Sequence, residues 1–369
     1  MDAKARVCEK AAHLWMATIG VLAGSAAFCL APGSTVRAED KAVEQAVERG
    51  LAFLASRQHD DGYYGSDVYR GHVAVTAFVG RAMMATGSKP GEGTYGNRVS
   101  KSLEYLMSRV QNNGMITSKD AREPAPMYGH GFALMFLAEC QKAAPQAELK
   151  EKMAKAVQLS VKSQNKDGGW RYLPVPREAD LSVTVTQLSA LAAARDAGVD
   201  VPQETIDRAV NYVKRSQNED GGFRYLLEGG TSGFARSAAA VAALYRAGAG
   251  EGPEVRKGCE YVAKFPPADT IGQPEVYYFY GHYYAAQVMS RAGEEAWNRW
   301  YAPVRDKLLK QQNKDGAWPD AASVELGTAM ACLTLKTGPV ETKPAESKPE
   351  GTKPAESNPD ETKPADKGK

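Results

Sequence analysis

Ser163-Gln-Asn-Lys-Asp-Gly-Gly-Trp170 returns 53 residues later as Ser216-Gln-Asn-Glu-Asp-Gly-Gly-Phe223. Weaker copies read Arg57-Gln-His-Asp-Asp-Gly-Tyr63, Val110-Gln-Asn-Asn-Gly-Met115 and Gln311-Gln-Asn-Lys-Asp-Gly-Ala-Trp318. The glutamines fall at 58, 111, 164, 217 and 312. The last interval, 95 residues, is close to two units, so a silent copy is expected near Tyr261-Val-Ala-Lys-Phe265. Six units with a period near 50 residues imply a repeat architecture.

Each motif has a physical reading as a corner. Asp-Gly-Gly is turn chemistry: glycine supplies positive φ and Asp bonds its own following backbone. The amide of Gln58, Gln164, Gln217 or Gln312 both donates and accepts, so it is expected to satisfy terminal carbonyls and an incoming amide at its own corner. Trp170, Phe223 and Trp318 then pack over that amide. These residues are expected to be structural staples.

An amphipathic helix precedes each motif. Val43, Val47, Leu51 and Leu54 make one apolar stripe, as do Val99, Leu103, Leu106 and Val110. A different helix follows. Leu181 to Ala194 is almost free of charge, and Val73 to Met84 carries only Arg81. Such a helix must be buried on most of its surface. Inner helices are expected at about 71–87, 127–142, 181–196, 232–247, 276–292 and 322–335, with outer partners at about 41–57, 97–110, 150–163, 203–216, 253–265 and 296–311. Six helical hairpins with a closed inner ring define an all-α fold, an α6/α6 toroid, over residues 39–336.

The ends differ from this body. Lys4, Arg6 and Lys10 precede an apolar run from Leu14 to Leu30, and Val36-Arg37-Ala38 offers small residues for cleavage before Glu39. Residues 1–38 are therefore expected to be a signal peptide and the protein exported; membrane association would need an uncleaved leader. From residue 337 to 369 a ten-residue Pro, Lys, Glu and Thr repeat carries no side chain able to build a core, so a disordered tail is expected. A net charge of +2 without a basic cluster excludes nucleic acid as an expected partner. Cys140, Cys259 and Cys332 sit singly in apolar helical contexts and read as small core residues.

The repeated Gln-x-x-x-Gly-Gly-Trp/Phe on paired helices resembles the prenyltransferase and squalene-oxidase repeat of squalene cyclases and protein prenyltransferase β subunits. That resemblance covers about residues 41–336 and implies the α/α toroid. The family's chemistry is not matched residue by residue. Squalene-type cyclases use an Asp-x-Asp-Asp acid cluster; the comparable stretch here, Asp180-Leu-Ser-Val-Thr184, has one carboxylate, the position of a helix cap. The zinc-binding Asp-x-Cys of prenyltransferases is missing at all three cysteines, and so is the thioester Cys-Gly-Glu-Gln. No metal or cofactor is expected.

Candidate site residues lie where inner helices begin. His72, His130 and His282 sit at or near such ends, and Tyr277-Tyr-Phe-Tyr-Gly-His-Tyr-Tyr284 packs six rings into eight residues. His72, Tyr128, His130, Tyr277, Tyr278, Tyr280 and His282 are the expected ligand-binding set, with Tyr95, Tyr172 and Tyr225 in similar segments. Asp67, Asp180, Glu275, Asp320 and Glu325 are carboxylates near the same mouth, yet none forms a motif-flanked pair of the kind glycosidases need. The expected function is binding of an apolar, isoprenoid-like small molecule or a polypeptide in the central cavity. The alternative is a terpenoid cyclase or prenyltransferase-like enzyme, with Asp180 as acid and Tyr277–Tyr284 as a cation-stabilising wall.

Overall fold

The computed structural model describes residues 38–118, 123–265 and 278–340. The leader through residue 37, the tail beyond 340, Glu275 and Tyr277 fall outside them. Outer helices α1 (Ala38–Ser56), α3 (Gly96–Ser108), α5 (Ala147–Ser163), α7 (Gln203–Arg215), α9 (Pro253–Ala263) and α11 (Glu294–Gln311) alternate with inner helices. The inner set is α2 (Val73–Met84), α4 (Pro126–Ala143), α6 (Leu181–Asp196), α8 (Phe234–Ala247), α10 (Tyr278–Met289) and α12 (Val324–Lys336). Each inner helix packs on the next, and α12 packs back on α2, which closes the toroid. There is no sheet among the described residues, only isolated bridges at the corners.

Composition sorts the two rings. On α6 every residue from Val183 to Ala194 is buried, because a helix without charge can face neighbours on all sides. On α7 only Thr205, Ile206, Ala209, Tyr212 and Val213 are buried, a single stripe at three- and four-residue steps. No helix among the described residues is long and apolar enough to cross a membrane. Cys140 and Cys332 are buried and Cys259 half-buried, all as free thiols.

The glutamine staple differs from the expectation. It closes its own corner and also joins two repeats. Gln164 Nε2 donates to Gly168 O in its own turn (2.9 Å) and to Thr205 O in the first turn of α7 (3.0 Å). Gln217 does the same with Gly221 O (2.9 Å) and Glu254 O on α9 (2.8 Å). Gln58 reaches Gly62 O (3.1 Å) and Arg98 O on α3 (2.9 Å). Gln312 carries the pattern across the join of chain start and end, to Gly316 O (2.9 Å) and Ala46 O on α1 (2.8 Å).

The turn glycine is required for a second reason besides its φ. At Gly62, Gly114, Gly168, Gly221 and Gly316 a Cβ would fall well under 3.0 Å from a backbone carbonyl of the next outer helix. The aromatic six residues past the glutamine then anchors the inner helix through its backbone N–H. Tyr64, Trp170, Phe223 and Trp318 donate to Thr76, Thr184, Ser237 and Thr328 at 2.8–3.1 Å. Trp170 and Trp318 also donate Nε1–H to the carbonyls of Ser160 (2.7 Å) and Leu308 (2.8 Å).

Candidate functional site

Where the inner helices begin, the ring encloses a cavity of about 820 Å³. All six repeats line it. Repeat one gives Tyr69 and repeat two Pro124, Ala125 and Tyr128; repeat three gives Tyr172 and Ser182; repeat four Tyr225, Gly233, Ala235 and Arg236. Repeat five gives Tyr280, and repeat six Asp320, Ala322, Leu326 and Met330. Five repeats thus contribute a tyrosine. Tyr128 and Tyr172 have ring centroids 6.2 Å apart, and the Tyr172 and Tyr225 hydroxyls are 2.6 Å apart, so three of these rings form a continuous arc.

Local chain geometry explains which residues arrive. The residue two past the corner aromatic turns inward: Tyr172 follows Trp170, Tyr225 follows Phe223, and Asp320 follows Trp318. In the sixth repeat the inward place is therefore held by a carboxylate. Asp320 Oδ1 accepts from Ala322 N (2.8 Å), which fixes the side chain at the rim of α12. Burial raises its pKa, opposed by the backbone amides of Ala322 and Ser323.

Asp180 caps α6, with Oδ1 accepting from Val183 N at 2.9 Å. It is fully buried and does not line the cavity; the Tyr172–Tyr225 hydroxyl pair does, in front of it. Burial raises its pKa, while the Val183 amide, Arg171 and the nearby Tyr225 hydroxyl favour the anion. Among the described residues Oδ2 has no hydrogen-bond partner.

The three histidines do not converge. His130 is a wall residue: Nδ1 accepts from Ile116 N (3.3 Å) and Nε2 lies 3.0 Å from Ser160 Oγ. Ser160 in turn donates to Gln187 Oε1 (2.8 Å), and Gln187 donates to Met127 O (2.7 Å). With Ser160 committed as donor, His130 must be the neutral tautomer with its proton on Nε2. Burial holds its pKa down at about 4, in agreement. His282 is also in the wall, bonded through Nδ1 to Tyr278 O (2.8 Å) and packed against Phe234, Tyr278 and Trp300; burial takes its pKa to about 4. Tyr278 serves that same packing, so Tyr128 and Tyr280 are the two members of the expected set that line the cavity.

His72 lies one layer back. It caps α2 by accepting Ala74 N–H on Nδ1 (3.2 Å), and its ring stands 5.5 Å from that of Tyr69. Its Nε2 faces Glu123 Oε1 at 3.7 Å, and burial lowers the His72 pKa to about 4. Glu123 has no motif around it, and no pattern in the sequence points to it. Of the remaining carboxylates, Glu325 is buried and paired with Arg57 (3.3 Å), and Asp67 sits in a short 3₁₀ turn. Tyr95 precedes α3 away from the lining. Among the described residues no three His, Cys, Asp or Glu side chains group to hold a metal ion.

Residues 98–270 match the prenyltransferase alpha-alpha toroid domain. No curated protein matches the chain in sequence. Among solved structures, the type II terpene cyclase MstE from Scytonema, in complex with merosterolic acid A, superimposes with a TM-score of 0.59 at 16% identity, covering 80% of this chain and 97% of that one. Cellobiose 2-epimerase from Bacillus thermoamylovorans gives 0.60 at 10% identity, over 80% and 98%. An alpha-1,6-mannanase of Salegentibacter sp. gives 0.59 at 11%, over 81% and 98%. The chain is an α/α toroid that resembles the prenyltransferase toroid domain over residues 98–270, and its fold is also that of a terpene cyclase, an epimerase and a mannanase.

Proposed function

We propose that this toroid is an exported binding protein for an apolar, isoprenoid-like small molecule held in the central cavity. The observation that carries the reading is the tyrosine lining contributed by five of six repeats around about 820 Å³, a volume suited to a small ligand. Ala125, Ala235, Leu326 and Met330 supply the apolar surface between the rings. Among the described residues Asp320 is the one carboxylate in the lining, so they do not form the opposed pair that glycoside hydrolysis needs. Export rests on the leader and is tested by sequencing the amino end of the mature protein, expected to begin at Glu39.

The test of binding is direct. The purified protein is incubated with squalene and with prenyl diphosphates, washed, and its lipid extracted. Retained, chemically unchanged lipid is expected, with at least tenfold less in Tyr128→Ala and Tyr280→Ala. No retained lipid would sink the reading.

A second reading, a terpenoid-cyclase-like enzyme, is favoured by one observation. Asp180, with burial raising its pKa, sits behind hydroxyls that do reach the cavity. Altered product in the same extract, abolished by Asp180→Asn, would replace the binding reading by this one.

A further inference from the structure

The link that leads from the first corner into α2 is attached differently from its counterparts, and it carries an apolar tip at the rim of the cavity. We propose that residues 66–69 form a flap that folds over the mouth once a ligand is bound, laying Val68 on it. The inference rests on the binding reading above.

Three observations carry it. The first is a pair of hinges. Gly65 (φ 103°) and Gly71 (φ 68°) bound the segment, both in the left-handed region that glycine enters without steric cost. A Cβ on Gly65 would collide with the Tyr69 carbonyl, so glycine is what lets the 3₁₀ turn Asp67–Tyr69 fold back on its own base. Within the turn Asp67, at φ 50°, is the one non-glycine residue in the left-handed region among the described residues. Such conformations gather in segments that switch, and small residues absorb the change at their ends.

The second is the attachment. The carbonyls of Tyr172 and Tyr225 accept from Met127 N (3.1 Å) at the start of α4 and Leu181 N (2.9 Å) at the start of α6, which ties those two links to the preceding inner helix. The Tyr69 carbonyl accepts instead from His72 N (3.0 Å), three residues on in the same link. None of Asp67, Val68 and Tyr69 is buried. The base is held: Arg70 Nε donates to Tyr63 Oη (3.0 Å), and the Gly71 carbonyl accepts from the Tyr105 hydroxyl. A turn with a fixed base and no buried side chain belongs to the least stable end of a fold, from which lids are drawn.

The third is the tip. Val68 is 79% exposed, the most exposed large apolar side chain among the described residues, and its neighbour Tyr69 lines the cavity. Laid on an apolar ligand, Val68 leaves water, so closure is favoured only when the ligand is there. Leu173 and Val175 are also exposed, in the link that follows Tyr172. That link is pinned by Asn165 Nδ2 on Arg177 O (3.3 Å) and by the Arg171–Glu178 pair (3.3 Å), so these two belong to the fixed part of the rim.

Hydrogen exchange and release rates of the full chain read the flap, with farnesol as the probe and its binding established by calorimetry. Amides 66–69 should exchange at least fivefold more slowly at saturating farnesol, and those of 173–177 should change less than twofold. Val68→Ser should fold normally, because the side chain is exposed, and should release farnesol at least fivefold faster in stopped flow. Val68→Leu should release it no faster than the natural chain, and Leu173→Ser should change release less than twofold. Farnesol that binds without slowing exchange at 66–69, equal slowing at 173–177, or unchanged release from Val68→Ser each overturns the flap and leaves the binding reading standing. No binding of farnesol overturns both.

Discussion

In repeat three, Trp170 is sealed in the core, Gln164 ties its turn to α7, and Thr184 receives the Trp170 backbone N–H. Repeat two has the same glycine pressed on the same kind of carbonyl, yet Ile116 fills the aromatic's place and His130 the threonine's. Its Gln111 is exposed. The joint to the next repeat is made inside instead: His130, Ser160 and Gln187 link α4, α5 and α6 by hydrogen bonds and return to Met127 O. What the corner demands is an acceptor for one buried N–H and a glycine at one close approach. The tie between repeats can run over the surface or through the core.

His130→Ala should break this comparison most severely. It orphans the Ile116 amide, unlinks Ser160 and opens a cavity, for a loss of about 3–5 kcal/mol in urea unfolding. A loss below about 1 kcal/mol would show that the internal joint is ornamental. Gln164→Ala removes two hydrogen bonds to buried carbonyls and should cost about 2–3 kcal/mol, while Gln111→Ala should stay within about 0.5 kcal/mol. If the two glutamines cost the same, repeat two has no substitute joint.

Acid sharpens the contrast further. His130 has a folded pKa of about 4, below its ordinary 6.5, so the native state binds fewer protons between those values. Stability is then fully present above pH 6.5 and falls as pH drops toward 4, by up to about 1.4 kcal/mol per pH unit for this residue. His130→Thr, which keeps an acceptor for Ile116, should lower the slope of that part of the curve by one histidine's share, measured by denaturation at several pH values, because His72 and His282 also have pKa values of about 4. Trp170→Phe should cost about 2 kcal/mol: Phe223 fills the same place one repeat later, but here the bond to Ser160 O is lost and the space of the second indole ring is left empty.

The fold was legible because helix type follows charge content along short stretches: Leu181 to Ala194 could face nothing but protein, and α6 runs Leu181–Asp196. The asymmetry between rings is a local property, so it survives in sequence. The staple's destination is not local. Gln164 and Thr205 are 41 residues apart, and only the packed ring shows that they meet. The site was half legible for the same reason. Tyr128 and Tyr280 stand at helix starts and line the cavity, but His130 and His282, each two residues further on, turn into the wall. Glu123 lies in a link with no periodicity, and nothing in its neighbourhood announces His72.

The bond from Gln312 to Ala46 O, with Gly316 set against the Arg49 carbonyl, makes the meeting of first and last hairpins a joint like the others. A circle has no privileged starting point. Splicing Lys336 to Glu39 through a short linker and opening the chain in the surface link between Asp196 and Gln203 should therefore yield a permuted protein with all four glutamine ties intact. Its order of synthesis would be rearranged, and its hydrophobic interior would not.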